Sequence, residues 1–139
     1  MIEKLNKVVK KTITSSLSGG AAGSILKVEF EDDNYFFIYC DWRIENGGKF
    51  LVTSWDSTTP DGLISVETAK LDGKVVEKFE ITTSTDWVLS MTDGTILRVF
   101  CSIGPSEQEY PENWAYHDRS IQKIIWANNK GQLEERDRT

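Results

Sequence analysis

Few side chains in this sequence are suited to nucleophilic or metal chemistry. There is one histidine, His117, and there are two cysteines, Cys40 and Cys101, 61 positions apart. No Cys-x-x-Cys or His-x-x-x-His spacing occurs, so no zinc site is expected. Asp32, Asp33 and Asn34 offer oxygen ligands. They lack the Asp-x-Asp-x-Asp-Gly order of a calcium loop, and acidic residues in such a place are commonly turn formers. Cys40 and His117 would make a nucleophile–base pair if the fold joined them. Both cysteines close apolar runs, however, a position that suits burial better than reactivity. Gly19-Gly20-Ala21-Ala22-Gly23 is glycine-rich, but a strand pattern follows it where a phosphate cradle must open a helix. No Gly-x-Ser-x-Gly elbow is present. Carboxylate pairs among 22 acidic residues single nothing out. The expectation is a protein that is not an enzyme, with no cofactor and no metal.

Binding chemistry is better represented. Trp55, Trp87, Trp114 and Trp126 fall on strand patterns and are expected in the core. Trp42 falls in Asp41-Trp42-Arg43-Ile44-Glu45-Asn46-Gly47-Gly48, which reads as a loop or its border, and an exposed aromatic beside Arg and acids suits an interface anchor. The polar stretch 106–113 sets Tyr110 among Glu107, Glu109 and Glu112. Asp41, Trp42, Glu45, Glu107, Glu109, Tyr110 and Glu112 are therefore the expected partner-binding residues. The formal net charge is −6. Residues 1–13 carry four lysines against Glu3, so the rest is more acidic still. An acidic body repels nucleic-acid phosphates and attracts a basic partner.

The elements that must position these residues change period along the chain. Apolar residues at Ile2, Leu5, Val8, Val9 and Ile13 predict an N-terminal helix with lysines on its other face, packed on a sheet and ended by the Ser/Gly/Ala connector. From residue 24 the period is two. Strands are expected at 24–31, 35–40, 49–55, 74–81, 87–91, 95–101 and 120–127, with a short one at 114–116 and a weak last one after Gly131. Residues 63–71 read as strand or helical turn, and the charged tail from Glu134 as frayed. Asp93-Gly94 between apolar runs is a strong hairpin signal. The fold class is α+β, mostly antiparallel β, in a single domain over 1–139. It divides into helix and connector (1–18), a first β unit (24–81) and a second (85–135).

The division rests on an internal repeat. At an offset of 61, Val28 falls on Leu89, Asp32 on Asp93, Ile38 on Val99 and Cys40 on Cys101. A Trp closes the loop after each Cys, Trp55 and then Trp114. At an offset of 45, residues 74–81 match 119–126. Two duplicated hairpin units would then form one or two antiparallel sheets, with the loops after the two cysteines equivalent.

The segment Trp87-Val88-Leu89-Ser90-Met91-Thr92-Asp93-Gly94-Thr95-Ile96-Leu97-Arg98-Val99-Phe100-Cys101, followed by Asn113-Trp114, resembles small bacterial proteins similar to immunity proteins of toxin–antitoxin and polymorphic-toxin systems. The resemblance implies a small acidic protein that binds and blocks a toxin, often a basic nuclease, and carries over no individual functional residue. Alternatives are a self-associating structural protein pairing through a sheet edge, and a small-ligand binder or enzyme with a pocket between the halves. No apolar run approaches membrane-span length, and no charged-then-apolar leader opens the chain. A cytoplasmic location is expected, with both cysteines reduced and buried. A disulfide is expected only if a secretory leader has been removed.

Overall fold

Alternation of apolar and polar residues governs most of the chain. In order, the elements are α1 (Ile2–Leu5), β1 (Ile13–Leu17), β2 (Leu26–Phe30), β3 (Tyr35–Ile38), β4 (Asp41–Asn46), β5 (Lys49–Thr53), α2 (Leu63–Ala69), β6 (Val76–Ile81), β7 (Trp87–Met91), β8 (Thr95–Phe100), β9 (Glu112–Asp118), β10 (Lys123–Asn128) and β11 (Leu133–Asp137). These come from a computed structural model that describes residues 1–105 and 111–139. The protein is mostly antiparallel β with a short N-terminal helix. One sheet runs β1-β2-β3-β9-β10-β11 and the other β5-β4-β8-β7-β6. Among the described residues no helix is long and apolar enough to cross a membrane.

The two sheets share a plan. Each begins with a three-strand meander and continues into strands from the other half of the chain, β9-β10-β11 beside β3 and β4-β5 beside β8. Trp114 stands opposite Ile38, and Trp42 opposite Val99. The indole of Trp42 donates to the Ser24 carbonyl at 2.7 Å, that of Trp114 to the Thr85 carbonyl at 2.9 Å. Ser24 and Thr85 are 61 positions apart, as are Ile38 and Val99. The β2–β3 and β7–β8 turns agree as well: Asp32 Oδ1 accepts from the Asn34 amide and Asp93 Oδ1 from the Thr95 amide. The residues between have φ of +67° at Asp33 and +91° at Gly94.

The sheets meet where the segment before β1 runs beside the start of β6, around a Thr12–Val75 bridge. The hydrogen bonds there are reciprocal. Ile13 N–H donates to Lys74 O and Val76 N–H to Lys11 O; Gly73 N–H donates to Ile13 O and Lys10 N–H to Val76 O. Between the sheets lies the core. Phe36 is its hub, with ring centroids 4.6 Å from Trp87, 4.9 Å from Tyr116, 5.9 Å from Trp114 and 6.0 Å from Phe79. Burying each such ring stabilises the fold by about 1.5–3 kcal/mol.

Several expectations are corrected. The N-terminal helix is a single turn plus a 3₁₀ turn at Asn6–Val8, because only Leu5 and Val8 find the core, while residues 13–17 of the expected helix end and connector form β1. Residues 41–46 form β4, a strand, since Trp42 and Ile44 alternate inward. Residues 63–69, which the sequence left open, take the helical reading and pack on β1 and β5. The tail from Glu134 is paired as β11 against β10. The matched segments 74–81 and 119–126 hold different places: β6 is an edge strand beside β7, whereas β10 lies inside its sheet between β9 and β11. Trp114 is buried like Trp42, whereas Trp55, expected to be its match, is exposed.

Candidate functional site

The residues that directly follow β3 and β8 lie side by side and line a cleft of about 1030 Å³. Tyr39, Cys40 and Asp41 line it from the first half, and Phe100, Cys101 and Glu112 from the second. Trp126 and Arg136 complete its wall from β10 and β11. Arg136 lies 5.2 Å from the Trp126 ring centroid and pairs with Glu112 at 2.7 Å. Burial, reinforced by the Glu112 charge, raises the Tyr39 phenol above its usual pKa.

A second depression, of about 240 Å³, adjoins the cleft and shares Asp41 and Phe100 with it. It leads onto the outer face of the second sheet. There Arg43 lies between the rings of Phe50 and Phe100, 5.0 and 5.1 Å from their centroids. Glu45, nearly buried, accepts from Arg43 Nε at 3.0 Å and from Arg98 Nε at 3.1 Å. Burial pushes its carboxyl up, but the two guanidiniums outweigh it and hold the group below the ordinary value. Beside this network Trp55 is 84% exposed and Phe50 67%. Large aromatics so exposed around a positioned guanidinium offer flat apolar area with a fixed charge, the composition of interface hot spots.

Of the residues expected to bind a partner, Asp41 is exposed at the rim shared by both depressions, where its carboxylate accepts from Ser54 Oγ at 3.2 Å. Glu112 is half-buried on the cleft wall. Trp42 is 1% exposed and cannot be a surface anchor; its indole is spent on the Ser24 carbonyl. Glu45 works as the counter-ion of two arginines. Glu107, Glu109 and Tyr110 lie outside the described residues. Trp55, placed in the core by its strand pattern, stands past the end of β5 in solvent. Trp87 and Trp114 are buried, and Trp126 is half-buried under Arg136.

Sequence reasoning missed Phe50, Phe100, Arg43 and Tyr39. For Phe50 the cause is a register shift between Ile44 and Glu45: Val52 faces Ile44 and the core, whereas Phe50 faces Glu45 and turns outward. Tyr39 and Phe100 continue the alternation of β3 and β8 to the outer side, but apolar neighbours on both faces of these runs hide which residues are exposed. A closing Trp after an Asn-Gly-Gly hairpin was the available signal for Trp55.

Cys40 and His117 do not come together. The Cys40 amide donates to the Asn113 carbonyl, and His117 stands four residues further along β9, about 13 Å away at strand spacing. His117 instead stacks on Tyr35, centroids 4.5 Å apart. Burial, with Arg138 and Arg136 nearby, lowers its pKa to about 4. Asp32 is engaged in its own turn, and among the described residues no cluster of three metal-ligating side chains occurs. No protein-family model matches the chain, and neither does a curated protein or a solved structure.

Proposed function

We propose that this chain is a binding protein of immunity or inhibitor type, which captures a basic protein partner on the face formed by Trp55, Phe50, Phe100 and Arg43. The observation that carries the reading is the solvent exposure of Trp55 and Phe50 around a guanidinium already fixed by Glu45 and its neighbours. The Arg43 guanidinium loses little freedom on binding, because Glu45 and the two phenyl rings hold it beforehand. The net charge of −6 supplies the attraction for a basic partner. Asp41, at the rim, extends the face toward the cleft.

The two halves, we further infer, are copies of one five-strand unit. The equivalent indole bonds, the matching acidic turns and the reciprocal bonds at Thr12 and Val75 support this reading. In it, β1–β5 correspond to β6–β10, and Trp42 corresponds to Trp114.

The test is to mix the protein with a basic toxin domain encoded beside its gene and to follow complex formation by titration calorimetry. A 1:1 complex is expected, weakened at least tenfold by Trp55→Ala or Phe50→Ala while thermal stability is unchanged. A complex that withstands both substitutions would overturn this surface, and a protein that binds no such domain would overturn the partner. A small-ligand reading is favoured by the volume of the cleft, which matches that of ligand sites. A thermal-shift screen against metabolites would reveal it.

A further inference from the structure

The cleft wall carries two thiols that the binding surface does not use. Asp41 and Phe100 are opposite one another on β4 and β8. Continuing that antiparallel register by one residue sets Cys40 opposite Cys101, and both line the same cleft. Neither amide bonds across the pair: the Cys40 N–H goes to the Asn113 carbonyl at 3.1 Å, and the Cys101 N–H to Asp86 Oδ1 at 2.7 Å. In an antiparallel ladder, opposed residues that exchange no amide bonds have Cα atoms about 4.5 Å apart. A disulfide spans roughly 4.4–6.8 Å between Cα atoms, so the backbone need not move to close one. Both thiols are free and half-buried.

We propose that Cys40 and Cys101 form a reversible disulfide site on the cleft wall, closed by a low-molecular-weight disulfide such as oxidised glutathione. The Cys101 thiolate attacks one sulfur of the oxidant; a mixed disulfide forms, and the first glutathione leaves as thiolate. Cys40 then attacks the Cys101 sulfur and expels the second. The protons given up by the two cysteines end on the two departing thiols. The cysteines are oxidised together and one oxidant disulfide is reduced.

The order of attack follows from the surroundings. Hydrogen bonding within the pair, with burial added, raises Cys40 far above an ordinary thiol, whereas the same bonding holds Cys101 lower against its burial. Thr85 helps position Cys101, its hydroxyl 3.5 Å and its carbonyl 3.3 Å from Sγ. The bond would tie together the ends of β3 and β8 and close a loop of about sixty residues, which restricts the unfolded chain.

The folded, reduced protein is exposed to excess oxidised glutathione, quenched with iodoacetamide and analysed by intact mass and non-reducing peptide mapping. The expected product is lighter by two hydrogens, takes up no iodoacetamide, links the Cys40 and Cys101 peptides, and returns to the dithiol on reduction. Cys40→Ser should stop with one glutathione on Cys101. Persistent glutathione adducts on the wild-type protein, thiols left unreacted, or a cross-link formed only after unfolding would each overturn the proposal.

Discussion

Three indoles are buried to nearly the same degree, but they are not equally satisfied. Trp42 and Trp114 each donate to a carbonyl, while the Trp87 Nε1–H is buried with no acceptor among the described residues, packed among Phe36, Phe79 and Trp114. A buried donor without an acceptor retains its desolvation cost with no compensating bond. Replacing an indole by a phenyl ring loses similar volume at either place, so the difference between sites isolates the hydrogen bond. Trp114→Phe should therefore cost about 1 kcal/mol more stability than Trp87→Phe, because it removes a made bond and leaves the Thr85 carbonyl with only the weak Cys101 thiol donor, 3.3 Å away. Urea denaturation of both variants measures that difference, and equal losses would show that the Thr85 bond contributes nothing net. Trp55 has no such structural partner, and its removal touches only the surface.

At the scale of elements, the two hairpin turns make an internal comparison. Gly94 sits at φ +91° and Asp33, its counterpart in the β2–β3 turn, at +67°. A side chain in the left-handed region costs about 1–2 kcal/mol, which glycine avoids. A Cβ at Gly94 would also come within 3.3 Å of Asn46 Oδ1. Gly94→Ala should destabilise by about 1–2 kcal/mol, and Asp33→Gly should be neutral or stabilising by up to about 1 kcal/mol; thermal melts of the two variants check both signs. The turn chemistry behind this comparison was plain in the sequence: Asp93-Gly94 and Asp32-Asp33-Asn34 named both hairpins, and strict alternation placed β2, β7 and β8 with their buried faces. Strand β4 was obscured. Its Trp42 and Ile44 alternate as a strand should, but Arg43, Glu45 and the following Asn46-Gly47-Gly48 read as loop until Arg98, 53 residues away, is seen to balance Glu45. The N-terminal apolar spacing fits a helix, yet from Ile13 onward the chain gains more by pairing with β2. Such tertiary pairings are what local periodicity does not encode. The proposed face was half legible for the same reason: Asp41 stands exposed at its rim, while Trp42 and Trp55 exchanged their expected places.

At the scale of the molecule, charge is arranged less simply than the sequence suggests. The basic N-terminal segment does not project as an arm. Lys7 reaches the buried carboxylate of Asp118 at 2.7 Å and Lys4 pairs with Glu135 at 2.9 Å. The segment thus cancels part of the acidity of the sheet that contains β9 and β11, on the molecule's own surface. On the proposed face, Arg43 and Arg98 are likewise balanced by Glu45, leaving aromatic area for close contact and Asp41 at the rim. In the proposed complex, contact energy and attraction are therefore separate roles: the aromatics are assigned the contact, and the net charge of −6 the attraction from a distance. Screening acts on the second and hardly on the first, since the Debye length shrinks from about 30 Å at 0.01 M salt to about 8 Å at 0.15 M. Raising salt across that range should slow association with a basic partner by about tenfold or more while dissociation changes little. Trp55→Ala should do the reverse, speeding dissociation and leaving the salt dependence of association intact. Stopped-flow measurements of both proteins at several salt concentrations separate the two effects; association indifferent to salt would mean that the acidic charge of this protein serves solubility and not recognition.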